Sequence, residues 1–444
     1  MNWIIRNARV VNEGRTVEAD VLLRAGRIER VATEGIGDAH GATEVDANGL
    51  LLLPGAIDDQ VHFREPGLTH KDDIAHASAA AVAGGITSFM EMPNTSPAAV
   101  TQERLQQKYD RAAQVSVANW SFHMGVSNGN MDEVLRTDPR SVCGLKAFLG
   151  SSTGDLLVDD ERTLERLFRE AHMILSVHAE HEGTIRANLE AAKARYGEDI
   201  PVTEHPNIRS AEGCYRSSSW AVAKAKECGT RLHVLHISTA RELALFEPGP
   251  LEGKRITAEA CVHHLWFTDA DYATKGTLIK WNPAVKTQAD RDAIRAAVNE
   301  GRIDVVATDH APHTLEEKAL PYTRCPSGGP LVQHALPAML ELVRQGVYTV
   351  EQVVEKMCHA PARLFQVQER GFVREGCHAD LVLVDPDAPW TVAKDNILYK
   401  CGWSPFEGQR FYARVKRTWV NGRLAYADGR VDTSVRGMRL LFDR

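Results

Sequence analysis

Three observations predict an α/β chain built as a (β/α)8 TIM-like barrel, with a small β-sandwich domain drawn from both termini. Short apolar runs alternate with helical stretches over residues 53–370, the pattern of parallel βαβ units. The flanks, 1–52 and 371–444, read instead as β-hairpins, each too short to bury a core alone. No glycine-rich phosphate loop follows the first apolar run, which argues against a doubly wound open sheet.

In chain order, residues 1–52 alternate apolar and polar over short lengths, punctuated by Gly14, Gly26, Gly35 and Gly37. Eight barrel strands are then expected, at 53–57, 86–91, 117–123, 143–148, 174–178, 231–236, 255–260 and 303–308. Helices are expected over 72–83, 161–172, 217–228 and 290–299. Thr239 with Glu242, and Thr349 with Gln352, have capping-box spacing. Strands resume at 380–384, 413–420 and 423–425, with an Asn421-Gly422 turn between the last two. These supply partners for the N-terminal strands.

Composition excludes several classes. The 444 residues are 43% apolar and 25% charged, ordinary for a globular protein. A net charge of -7 gives no reason to expect nucleic acid or an anionic membrane as partner. No apolar run reaches the roughly 20 residues a membrane helix needs. The first residues lack a signal peptide's apolar core, so a cytoplasmic location is expected. The 8 cysteines form no Cys-x-x-Cys pair and read as small buried apolar side chains.

Chemistry gathers where the apolar runs stop. The stretch Asp58-Asp-Gln-Val-His-Phe-Arg-Glu-Pro-Gly67 puts Gln60, His62 and Arg64 after the first run. Asn94 follows the second, Lys146 lies in the fourth, and His178 and His236 end the fifth and sixth. His263 and His264 follow the seventh; Asp309, His310 and His313 follow the eighth. A single histidine in such a place is most often a core or surface residue. Metal-capable residues at so many strand ends of one barrel face are a pattern, because those ends converge. Imidazoles with carboxylates suit zinc or a similar divalent metal. Lys146 cannot bind metal as an ammonium, and its bland reading is a snorkelling or ion-paired lysine. As a neutral amine carboxylated by CO2 it could bridge two metals, which could hold a hydroxide for Asp309 to orient.

On these motifs the chain resembles the amidohydrolase superfamily and, within it, the cyclic-amide hydrolases of the dihydroorotase branch. The matching pieces are His62-Phe-Arg-Glu-Pro-Gly67, Met92-Pro-Asn-Thr95, Leu232-His-Val-Leu-His-Ile-Ser-Thr239 and Thr308-Asp-His-Ala-Pro-His313. The resemblance implies hydrolysis of a small cyclic amide in pyrimidine synthesis, by a zinc enzyme with one or two ions per subunit, and a homodimer. It makes His62, Lys146 and Asp309 ligands of one metal and Lys146, His178 and His236 ligands of a second. Lys146 would be N6-carboxylated, and Asp309 would also be the catalytic base. Arg64, Asn94 and His313 would hold a substrate carboxylate, with Asn282, Ser327 and Gly328 against the ring. His263 and His264 match a pair for which a structural role is at least as natural as a chemical one.

Two departures stand out. The family pattern after the first strand is His-x-His, whereas this chain reads Gln60-Val61-His62, so the first metal should be weaker or absent. Some relatives bridge their metals with aspartate, which keeps Asp155 as an alternative to Lys146. Allantoinase and dihydropyrimidinase or hydantoinase chemistry are the near rivals, and Arg64 argues for an acidic substrate over those neutral rings. A non-catalytic scaffold is the remaining reading, since Gln60 is a damaged position.

Overall fold

A computed structural model describes residues 2–150 and 156–444. Asp155 therefore lies outside the described residues.

The N-terminal segment forms β1 (Asn2–Asn12), β2 (Arg15–Arg24), β3 (Arg27–Ala32), β4 (Ala42–Asp46) and β5 (Leu51–Pro54). The barrel follows as β6 (Ala56–Val61), β7 (Ile86–Glu91), β8 (Asn119–Phe122), β9 (Met124–Gly125), β10 (Leu145–Phe148), β11 (Leu175–His178), β12 (Leu232–Val234), β13 (Ile256–Cys261) and β14 (Val305–Ala307). β8 and β9 are one run interrupted at His123, giving eight staves. Neighbouring staves pair parallel. Val61 bridges His310 in parallel, and the His62 amide donates to the His310 carbonyl at 2.7 Å, which closes β14 onto β6.

The C-terminal segment adds β15 (Leu381–Asp385), β16 (Trp390–Thr391), β17 (Arg410–Phe411), β18 (Arg414–Val420), β19 (Arg423–Ala427) and β20 (Arg430–Val431). Apart from the small β16–β17 ribbon, these join the N-terminal strands in a separate nine-stranded sheet. Its order is β20-β19-β18-β15-β5-β1-β2-β3, with β4 on β1. Asn421 and Gly422 both have positive φ (50° and 72°), which a two-residue hairpin turn requires. Trp3 and Trp419 pack edge to face with ring centres 6.0 Å apart, tying the two chain ends together in this sheet's core.

The first expected barrel strand divides in two. Leu51–Pro54 belongs to the terminal sheet, pairing with β1 and β15, and the stave itself runs Ala56–Val61. The chain crosses between them at Gly55, where an added Cβ would run into the Thr87 side chain. Asp58, Asp59 and Gln60 therefore sit inside a strand and are buried, although their polarity suggests a loop.

Helices cover the barrel much as the periodicity predicts, at Ile74–Ala83, Glu161–Glu170, Ala211–Cys228 and Gln288–Glu300. Side-chain caps explain their starts: Asp73, Asp160, Ser210 and Thr287 each accept a first-turn amide. No helix among the described residues is long and apolar enough to cross a membrane. Five cysteines are buried and Cys228, Cys377 and Cys401 are half-buried; all are free thiols.

Candidate active site

The C-terminal ends of the staves open into one cavity of about 480 Å³. Its wall carries Gln60, His62, Arg64, Asn94, Lys146, His178, His236, Asn282, Asp309, His313, Ser327 and Gly328. His263 and His264 are buried but do not line it. His263 stacks on Trp281 with ring centres 4.3 Å apart, and His264 Nε2 donates to the Pro283 carbonyl at 3.1 Å.

Three of the wall residues hold backbone conformations that L-residues seldom adopt: Arg64 (φ 68°), His236 (φ 41°) and Asp309 (φ 47°). Each is pinned by a buried carboxylate that accepts an amide at or beside it. Glu91 Oε1 takes the Phe63 amide at 2.9 Å, and Glu259 Oε1 takes the His236 amide at 2.9 Å. Asp58 takes both the Thr308 amide at 3.2 Å and the Thr308 hydroxyl at 2.6 Å. Such strain persists only where the surroundings over-determine it, and here it aims three side chains into the cavity.

The metal-capable residues form two contacting pairs, and Lys146 falls between His62 and His178 in sequence. His62 Nε2 lies 3.0 Å from Asp309 Oδ1, and His178 Nδ1 lies 3.0 Å from His236 Nε2. Burial keeps all three imidazoles below their ordinary pKa, and the Lys146 charge depresses each further. They are neutral imidazoles at physiological pH. Lys146 is 1% exposed and its Nζ has no hydrogen-bond partner. Burial lowers its pKa to about 7, against the pull of Glu259 and Asp309. Among the described residues its one charge-seeking contact is the Phe148 ring, 4.6 Å from Nζ, and a buried, easily neutralised amine without a hydrogen-bond acceptor beside two His-containing pairs fits a divalent-metal centre better than it fits a closed core. Gln60 donates through Nε2 to Asp309 Oδ1 at 3.3 Å, so it touches a proposed ligand without adding an imidazole to the set.

The opposite wall is cationic. Arg64 is 5% exposed; its Nε donates to the Pro312 carbonyl at 3.0 Å, and one terminal nitrogen lies 3.1 Å from His313 Nε2. His313 Nδ1 accepts from the Lys71 ammonium at 3.0 Å, while Nε2 reaches the Ser327 carbonyl at 3.1 Å. Burial first, then the Arg64 charge, holds the His313 imidazole neutral. Asn94 Oδ1 meets His62 Nδ1 at 2.7 Å, joining this wall to the metal-capable one. Gly328 (φ 130°) packs so tightly under the Ala311 carbonyl that no Cβ fits. Lys318 fixes the same turn by donating to the Pro326 and Gly328 carbonyls at 2.9 and 2.8 Å.

Several supporting residues escape sequence reasoning. Glu180 sits 3.1 Å from His178 Nε2 and is itself paired with Arg209. Burial opposes its charge, yet Arg209 and His178 hold it well below the usual carboxylate range. The signal for Glu180 was present, two residues past a strand-end histidine. Trp403, whose indole donates to the His313 carbonyl at 2.7 Å, comes from the C-terminal segment and has no local signal.

Comparison with known proteins gives this site its relatives. The chain is 36% identical to a dihydroorotase of Halobacterium salinarum over 442 residues, covering 96% of this chain and 99% of that one. It is 33% identical to an allantoinase of Bacillus velezensis over 435 residues, covering 96% and 94%. Among solved structures it resembles the L-hydantoinase (dihydropyrimidinase) of Arthrobacter aurescens, with a TM-score of 0.92 at 27% identity over 97% of both chains. The profile of the amidohydrolase family matches residues 51–425, which span every stave and every cavity residue described above. By sequence and by fold, the chain belongs to the amidohydrolase family.

Proposed function

We propose that this amidohydrolase is a dihydroorotase, reversibly hydrolysing L-dihydroorotate to N-carbamoyl-L-aspartate in cytoplasmic pyrimidine (UMP) synthesis. The observation that carries the reading is Arg64. It lines the cavity, is buried, and makes no ion pair among the described residues. Burial lowers its pKa to about 10, which still leaves a full positive charge at neutral pH. A buried cation facing a cavity is stabilised by an anionic ligand, and a ring carboxylate supplies one in fork geometry. A neutral hydantoin or allantoin ring leaves that charge unpaired.

In this reading His62, His178, His236, Asp309 and a carboxylated Lys146 hold one or two zinc ions. Bound there, zinc supplies Lewis acidity and acidifies water. The Lys146 amine adds to CO2 through its nitrogen lone pair and releases one proton, leaving an anionic carbamate. Arg64, Asn94 and His313 bind the substrate carboxylate and set the ring's orientation. Asn282 and the Ser327–Gly328 backbone lie against the ring amide. Asp309 takes the proton of the attacking water and hands it to the leaving ring nitrogen.

An allantoinase and an L-hydantoinase stand among the relatives beside the dihydroorotases, and the test separates all three substrates. Purified protein treated with zinc and bicarbonate is assayed on L-dihydroorotate, allantoin and hydantoin. Turnover confined to dihydroorotate, and lost in Asp309→Ala at unchanged melting temperature, is expected. Turnover of allantoin or hydantoin with none of dihydroorotate overturns the substrate assignment. Silence on all three from folded, zinc-loaded protein would make the chain a scaffold.

A further inference from the structure

Below the candidate active site, one layer nearer the N-terminal ends of the staves, three side chains face one another in the barrel interior. Asp59 comes from β6, His233 from β12 and Glu259 from β13, and their ligand atoms all lie within 4.8 Å of one another. Each residue is 0% exposed, and none lines the cavity above. From this geometry we infer a separate divalent-cation site, enclosed in the barrel and formed by Asp59, His233 and Glu259.

The hydrogen-bond inventory carries the inference. His233 Nδ1 lies 2.9 Å from Thr257 Oγ1, whose own hydroxyl donates to the Leu232 carbonyl at 3.3 Å. The threonine oxygen is thus an acceptor and Nδ1 bears a proton, which leaves Nε2 as the nitrogen that can meet a cation. Nε2 faces two carboxylates, 3.3 Å from Asp59 Oδ2 and 3.7 Å from Glu259 Oε2; burial opposes a charge on the ring, yet these carboxylates raise its pKa to about 9. Neither Asp59 oxygen has a hydrogen-bond partner, nor does Glu259 Oε2. Glu259 Oε1 is already committed to the His236 amide and the Cys261 thiol.

Two carboxylates converging on one imidazole in a dry interior, with a single Nε2 proton to share between them, is an arrangement that burial alone strongly disfavours. A proton on Nε2 serves one carboxylate at a time and leaves a net negative charge. A divalent cation offsets both charges and engages all three groups. Imidazole with carboxylates suits zinc or a similar ion, and a histidine whose second nitrogen is held by a neighbouring oxygen is the usual form of such a ligand.

The test exploits the difference in enclosure between the two sites. Protein expressed in zinc-supplemented medium is dialysed against EDTA, which strips the open cavity first, and its metal content is measured by mass spectrometry. The wild type is expected to retain about one equivalent per chain, and Asp59→Asn and Glu259→Gln to retain none. Equal retention in both folded variants overturns the site. So does a wild type that retains no metal and whose 15N-labelled His233 ring is protonated at both nitrogens. The NMR arm needs no variant, so the inference can fail even where a substitution prevents folding.

Discussion

Lys108→Met is the most informative single change outside the cavity. Lys108 reaches from the helix Gln102–Val115 into the barrel, where its Nζ sits 2.9 Å from Glu91 Oε2, with side-chain exposures of 2% and 0%. At an effective dielectric of about 20, charges this close attract by about 6 kcal/mol. Desolvation and side-chain ordering offset much of that, so the pair is a modest net stabiliser. Removing one partner is another matter, because it leaves a bare buried charge, and the loss is about 3–5 kcal/mol. Burial already holds the Glu91 carboxyl above its ordinary pKa in spite of Lys108. Without the lysine it takes up a proton, so the variant should lose less stability at mildly acidic than at alkaline pH. Function should follow, because Glu91 anchors the Phe63 amide between His62 and Arg64. Thermal and urea unfolding of Lys108→Met, Glu91→Gln and the double variant would measure the coupling. The double variant keeps an oxygen acceptor for Phe63 without the charge and should recover most of the loss. A Lys108→Met protein within about 1 kcal/mol of wild type, or no recovery in the double, would refute the argument.

Three further outcomes are expected. Arg64→Met should raise KM for dihydroorotate by about 10- to 100-fold, from the loss of a charged hydrogen bond, and leave any hydantoin turnover unchanged; initial-rate kinetics on both substrates would check it. Gly328→Ala should destabilise the chain by about 1–3 kcal/mol and depress turnover, since its φ of 130° and the Ala311 carbonyl leave no room for a methyl group; melting temperature and kcat/KM report the two effects. Lys318→Met should flatten the stability profile between pH 7 and 10.5. Burial lowers the Lys318 pKa from 10.5 to about 7, so across that window the unfolded chain binds the extra proton and wild-type stability rises with pH. Urea midpoints at several pH values in that range would show whether the slope depends on Lys318.

The barrel was legible because its staves are apolar runs bounded by turn residues, and because strand ends in this architecture converge. The cavity residues could be named from order alone, as His178 and His236 show, since the fold decides where a strand-end residue points. Asp58, Asp59 and Gln60 lie buried in a strand, against what their polarity suggests, for a physical reason. Polarity predicts exposure only when the interior is apolar, and this interior contains Glu91, His123, Lys146, His233 and Glu259, all at or near zero exposure. Their partners come from distant strands, so no local window reveals them. The clamp on Asp309 needs Asp58 to meet Thr308, a pairing that exists only once the barrel closes. Trp403 is the extreme case, since it reaches His313 from beyond the last stave.

The place of β5 in the terminal sheet bears on how the chain is made. β5 is flanked by β1 on one edge and β15 on the other. During translation the first edge is filled at once, whereas the second stays open until the whole barrel has been synthesised. A half-finished sheet with an apolar, unpaired margin therefore accompanies the nascent barrel, and such a margin invites pairing with another chain. Any delay after the last stave prolongs that exposure, so aggregation during synthesis should depend more on the rate at which residues 381–420 emerge than on the stability of the finished enzyme.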